Sequence, residues 1–156
     1  MANIVLYESK YGSTERYAKW IGEELNCKVS RISDVNIEEL ANYDNIIFGG
    51  WIHCGKLEGF KKIQNNIDKF KSKNFLVFAS GLSITEDNAY KNFKKKSFKD
   101  FNNLQDFYLN GAFNFNNLTF LDKVMMRIFK IILKMQKPEK RDEATIEMLN
   151  AYKKTY

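Results

Sequence analysis

A turn near the amino terminus carries the chemistry most readily read from this chain. Ser9, Ser13 and Thr14 bring hydroxyls around Gly12, with Lys10 and Tyr11 in the same turn. Hydroxyls and helix-start amides donate to anions, and a glycine lets backbone approach one closely. The dinucleotide pattern G-x-G-x-x-G and the Walker pattern G-x-x-x-x-G-K-[ST] are both absent. A single terminal phosphate therefore suits this turn better than a dinucleotide. Hydroxyl-rich turns also cap helices without binding anything, so the neighbouring elements must decide.

The apolar run Ile4 to Tyr7 feeds the turn, and Tyr17, Ala18, Trp20, Ile21 and Leu25 follow at helical spacing. This is a strand entering a helix through an anion-binding turn. Four more runs read as strands: Lys28 to Ile32, Asn45 to Gly49, Phe75 to Ala79 and Asp106 to Leu109. Helical patterns span Thr14 to Leu25, Gly59 to Phe70, Asn88 to Phe98 and Arg141 to Tyr152, with a short helix expected over 34–43. Alternation of strand and helix, with near-continuous apolar strands such as Phe75-Leu76-Val77-Phe78, predicts an α/β fold. The expected sheet is parallel, doubly wound and five-stranded, in the order 2-1-3-4-5. Its ligand crevice lies beyond the carboxyl ends of the first and third strands.

That rule brings two further segments to the turn. The third strand ends in Gly49-Gly50-Trp51-Ile52-His53-Cys54-Gly55-Lys56, and the fourth in Ser80-Gly81-Leu82-Ser83-Ile84-Thr85. Glycines there would admit a flat ring, and Trp51 would either stack on it or only cover the sheet.

Composition narrows the classes. The 156 residues, 44% hydrophobic, suit one domain spanning 1–156, with an insert at about 113–140. Cys27 and Cys54 lack metal or disulfide-framework spacing, and His53, the sole histidine, excludes a histidine-rich metal site. A lone loop histidine reads as a surface residue. The start leaves no room for a signal peptide and no apolar stretch is long enough to span a bilayer, so a cytoplasmic protein is expected. The net charge of +6 calls for an anionic partner: lipid headgroups, a carboxylated substrate or nucleic acid. Nucleic acid is the weakest of these, because no recognition motif is present.

The turn is similar to the S/T-x-T-G-x-T phosphate loop of flavodoxins, with Tyr11 at its second hydroxyl position. In detail the chain resembles the menaquinone-dependent protoporphyrinogen oxidase branch of the flavodoxin-domain family. The shared pattern is Ser9-Lys10-Tyr11-Gly12-Ser13-Thr14, then G-G-x-I-x-x-G at Gly49 to Gly55. Gly111-Ala112 and a Met-rich basic helix from Asp122-Lys123 to Lys134-Met135 follow. The resemblance implies noncovalent FMN. Ser9, Gly12, Ser13 and Thr14 would hold its phosphate and Lys10 and Tyr11 would line the loop. Gly50, Trp51, Ile52, His53, Cys54 and Gly55 would hold one side of the ring, and Ser80, Gly81, Leu82 and Ser83 its pyrimidine edge. The chain departs from its relatives at Trp51, Cys54 and Gln136-Lys137-Pro138-Glu139-Lys140-Arg141.

The roughly thirty residues between the fifth strand and the last helix far exceed an ordinary connection. Within them, Leu121 to Met135 reads as a helix with Lys123, Arg127, Lys130 and Lys134 in one stripe. Its apolar residues cover more than half the circumference, wider than one core requires. The surplus fits either an anionic membrane surface or a second subunit in a homodimer. The leading expectation is an FMN-dependent oxidoreductase passing electrons from a small reduced organic substrate to a quinone. A non-enzymatic FMN electron carrier and a flavin-free scaffold are the alternatives.

Overall fold

The computed structural model describes residues 2–81 and 88–110, together with Ile146. Its strands are β1 (Asn3–Tyr7), β2 (Lys28–Arg31), β3 (Asn45–His53), β4 (Lys56–Leu57), β5 (Asn74–Gly81) and β6 (Leu104–Asn110). All but β4 run parallel, in the order β2-β1-β3-β5-β6, and β4 folds back antiparallel on the end of β3. Leaving β4 aside, this is the predicted 2-1-3-4-5 sheet. The fold is therefore α/β and flavodoxin-like. The expected insert and the expected helix over Arg141 to Tyr152 lie outside the described residues.

Strand alternation divides the core in two. Ile4, Leu6, Ile46, Phe48, Phe75, Val77 and Ala79 face one layer; Val5, Ile47 and Phe78 face the other. Helix α1 (Ser13–Leu25) covers the second layer through Thr14, Ala18 and Gly22, spaced one turn apart. These small residues bring the helix close, and the Val29 side chain fills the space a Cβ on Gly22 would need. The sequence reading put Trp20 and Leu25 on the inward face, but they are exposed, 55% and 42%. The close approach through small residues turns the larger ones outward, where Trp20 packs edge-on to Tyr17 at 5.7 Å.

The predicted helix over Gly59 to Phe70 is two: α2 (Phe60–Gln64) and α3 (Ile67–Phe70). Asn66 breaks it by donating its side-chain amide to the Lys62 carbonyl at 2.9 Å, local competition that asparagine offers a helix. Segment 34–43 forms 3-10 turns at Ile32–Asp34 and Ile37–Asn42 instead of an α-helix. Lys62 Nζ reaches across to the Ile32 and Val35 carbonyls at 3.0 and 2.8 Å, and Asn36 accepts from the Glu38 N–H. Helix α4 (Asn88–Ser97) completes the first layer with Tyr90, which is buried, and Phe93.

Phe60 is the centre of that layer. Fully buried, it lies 5.2–6.4 Å from the rings of Phe48, Phe75, Phe93, Phe98 and Phe101. At the amino-terminal edge of the sheet, side-chain amides form a ladder. Asn45 donates to Asn3 at 2.7 Å, Asn74 to Asn45 at 2.8 Å and Asn103 to Asn74 at 2.6 Å. Among the described residues, no helix is long and apolar enough to cross a membrane.

Truncating Phe60 to Ala removes the ring that four elements share. It should lower unfolding free energy by about 3–5 kcal/mol, read from urea denaturation with an unchanged slope. Phe98→Ala, at the half-buried rim, should lose less than half as much. Equal losses would show that Phe60 is not the keystone of the layer.

Candidate functional site

Parallel pairing puts the carboxyl ends of β1, β3 and β5 at one edge. The chain leaving β1 is tied down at once, because the Glu8 N–H donates to the Gly49 carbonyl at 2.9 Å. Arg31, at the end of β2, donates to Glu8 Oε1 and to the Ser9 carbonyl, both at 3.0 Å. Ser9 is buried, and its hydroxyl accepts the Gly12 N–H at 3.1 Å, closing the turn on itself. Gly12 has φ +94° and forms the amino-terminal cap of α1, a conformation that glycine adopts without strain.

As the cap residue, Gly12 has no side chain of its own to bond the first-turn amides. A Cβ built on Gly12 would meet nothing within 4 Å, so the turn opens onto unfilled space. First-turn amides and the helix dipole make that space favourable for an anion. Glu15 would oppose one there. It is instead held below its usual carboxylate range by a hydrogen bond and charge pairing with Lys19, 2.6 Å away. Thr14 is buried and its hydroxyl bonds Ser80 at 2.7 Å, linking the start of α1 to the end of β5. Thr14 and Ser80 thus brace the turn.

The segment after β3 is not the loop expected from the sequence. Gly50, Trp51, Ile52 and His53 continue the strand, and β4 pairs back with Ile52 opposite Leu57 and His53 opposite Lys56. Cys54 and Gly55 turn the hairpin with φ +50° and +71°, the two positive values of a type I′ connection. Cys54 is consequently exposed at the tip. Trp51 and His53, two residues apart, share one face and stack at 5.0 Å with an interplanar angle of 29°. Tyr11 meets Trp51 edge-on at 6.1 Å, and Lys10 Nζ lies 5.3 and 5.9 Å from the Tyr11 and Trp51 rings. The result is a row, Tyr11–Trp51–His53, running from the anion turn along the end of β3.

Gly49, Gly50 and Gly55 have a packing role. Their missing Cβ atoms make room for Phe78, for Leu57 with the Glu58 carbonyl, and for Ala89 of α4. They pack the hairpin onto the domain. Ile52 joins the hydrophobic layer behind it. Gly81 lies against Tyr108, while Leu82 and Ser83 fall outside the described residues. The His53 side chain is 37% exposed, with its Nε2 buried and its Nδ1 3.5 Å from Glu58 Oε1. Sequence reasoning missed Arg31, Glu8, Glu58 and the hairpin turn; only the last had a signal, a residue-glycine pair before a second short apolar segment. At the far end of α1, burial pushes the Cys27 thiol up, away from reactivity.

A doubly wound parallel sheet whose strand order reverses between β1 and β3 has its topological switch point at the Gly12 turn. A family model described as a flavodoxin domain matches residues 4–142, and the chain belongs to this family. An uncharacterised protein of Methanocaldococcus jannaschii is 32% identical over 114 residues, covering 71% of this chain and 76% of that protein. Oxidised flavodoxin 2 from Bacillus cereus superposes with a TM-score of 0.53 at 16% identity, covering 100% of both chains. Two-electron reduced Megasphaera elsdenii flavodoxin gives 0.56 at 18% identity, covering 97% of this chain and 98% of that one.

The hairpin tip yields a direct check. Type I′ turns favour asparagine before glycine, and Cys54 is exposed. Cys54→Asn should raise stability by about 0.5 kcal/mol, whereas Cys54→Val, β-branched at positive φ, should lower it by about 1 kcal/mol. Thermal unfolding of the two variants beside the parent chain reads the difference. The reverse order would contradict the turn.

Proposed function

We propose that this chain binds FMN noncovalently, with its phosphate at the Gly12 start of α1, and passes electrons from a reduced organic substrate to a quinone. The observation that carries the cofactor reading is the glycine-capped helix start opening onto unfilled space at the β1–β3 switch point. Bound FMN supplies the redox chemistry. The chain supplies the rest. Amides of the α1 first turn hold the phosphate, and Ser9 fixes Gly12 in the conformation that exposes them. The Thr14–Ser80 bond holds the turn against β5. The Tyr11–Trp51–His53 row walls the crevice on the β3 side and keeps water from the ring.

The quinone reading rests on sequence. The basic, Met-rich segment from Asp122 to Met135 resembles the protoporphyrinogen oxidase branch, which makes protoporphyrinogen the implied donor. Its charge and wide apolar face suit association with an anionic membrane surface, where quinones reside. A second reading is the electron carrier, supported by solved neighbours that are themselves flavodoxins. Carriers of that kind are typically acidic, and the net charge of +6 weighs against it here. Steady-state turnover with a quinone acceptor separates the two.

Gly12→Asn and Gly12→Asp test the phosphate site with one shape and two charges, since both residues tolerate positive φ better than others do. The Asp variant should bind FMN at least about tenfold more weakly than the Asn variant, a difference of about 1.4 kcal/mol. Titration of the apoproteins with FMN, followed by flavin fluorescence, measures it. Equal affinity would place the phosphate elsewhere.

Membrane association should weaken with salt, because surface charge is screened within about 8 Å at physiological ionic strength. Replacing Lys123, Arg127, Lys130 and Lys134 together by Gln should abolish most sedimentation with anionic vesicles while leaving FMN affinity unchanged. If the segment is a subunit interface instead, Ile128→Ser with Ile132→Ser converts a dimer to a monomer in light scattering.

A further inference from the structure

His53 is the chain's one histidine, and its ring is held in an unusual way. One face stacks on Trp51. Nδ1 lies 3.5 Å from the Glu58 carboxylate, whereas Nε2 is buried without a hydrogen-bond partner among the described residues. A carboxylate beside Nδ1 favours the proton there, which leaves the Nε2 lone pair bare. A bare polar atom sealed from water is unfavourable, and native structures retain such atoms chiefly where function uses them. The ring ends the row that begins at the anion turn, so it borders the crevice.

We propose that His53 is the redox-linked proton acceptor of this site. The proposal rests on the FMN reading above. Electrons passed from the reduced organic donor to a bound flavin would add negative charge beside the Tyr11–Trp51–His53 row. The His53 ring, 37% exposed, would then take one proton from solvent, and the imidazolium would balance that charge. On reoxidation by the acceptor the proton would return to water; the only bond made and broken at His53 is one ring N–H.

Charges of both signs balance around the ring: Glu58 lies beside Nδ1, Lys56 is paired opposite His53 on β4, and Lys10 lies over the Trp51 ring. Tyr11 contributes a neutral ring. Added negative charge in the crevice shifts this balance toward the protonated ring. By linkage, protonating His53 eases flavin reduction by the same free energy.

Because His53 is the only histidine, its Cε1–H resonance reports the ring without assignment ambiguity. The chain is loaded with FMN, and the resonance is followed against pH in the oxidised state and after anaerobic dithionite reduction. The titration midpoint should rise by about half a pH unit or more on reduction, as expected for a new unit charge nearby in partly screened surroundings. Glu58→Gln should lower the midpoint in both states. His53→Gln should remove the corresponding break in a plot of flavin midpoint potential against pH. A bound, reducible flavin with an unmoved His53 midpoint overturns the proton role and leaves the FMN reading standing. Failure to retain FMN, seen as no visible flavin absorbance after gel filtration, overturns both.

Discussion

The parallel register of the central strands is the constraint on which everything else depends. Because β1, β3 and β5 run the same way, their carboxyl ends meet at one edge, and three separate stretches of sequence become neighbours. The asparagine ladder marks the opposite edge. Asn3, Asn45 and Asn74 are register partners, and their amides bond in series. A slip of one residue would break the ladder and turn each strand's apolar residues to the wrong layer. Register thus fixes the layers below and the site above together. The Phe60 layer then locks α2 and α4 against the sheet, which sets where the β3–β4 hairpin rests.

The crevice edge is built by ties between strand ends more than by any one loop. Glu8 bonds Gly49, Arg31 spans Glu8 and Ser9, and Thr14 bonds Ser80. These links join the ends of β2, β1, β3 and β5 across a few residues. The hairpin adds a wall, seated by glycines whose missing side chains admit Phe78, Leu57 and Ala89. A turn held by several short bonds keeps its geometry without a ligand, the condition that pre-organised binding requires.

Much of this was legible in the sequence because it follows from local pattern. Doubly buried strands must be apolar on both faces, so the runs at Ile4, Ile46 and Phe75 declared themselves and the strand order followed. The turn at Ser9 to Thr14 was legible for a similar reason, since helix-start chemistry is written in adjacent residues. What escaped depends on partners distant in sequence. Trp20 looks inward on a helical wheel, but the small faces of Ala18 and Gly22 bring α1 close, and Tyr17 and Ile21 take the flanking positions on that layer. Asn66 breaks a helix that hydrophobic spacing alone would continue. Arg31 became a site residue only when pairing brought the end of β2 beside Ser9. Gly49, Gly50 and Gly55 suggested room for a ligand, yet the room is filled by side chains from β5, β4 and α4. Even the turn at Cys54 and Gly55, signalled by its glycine, was obscured by a cysteine where asparagine would have announced it.

Charge placement around the crevice has its own logic. Three acidic residues, Glu8, Glu15 and Glu58, lie near the turn or the hairpin, and each faces a basic group: Arg31, Lys19 and the His53 ring. Such partly exposed pairs add little to stability. Their effect on local potential is larger, because an unpaired carboxylate one turn into α1 would cancel the field of the helix start. Among the described residues, these three carboxylates are each paired, which removes opposing charge from the start of α1. An anion entering there meets backbone amides and a helix dipole with little local repulsion.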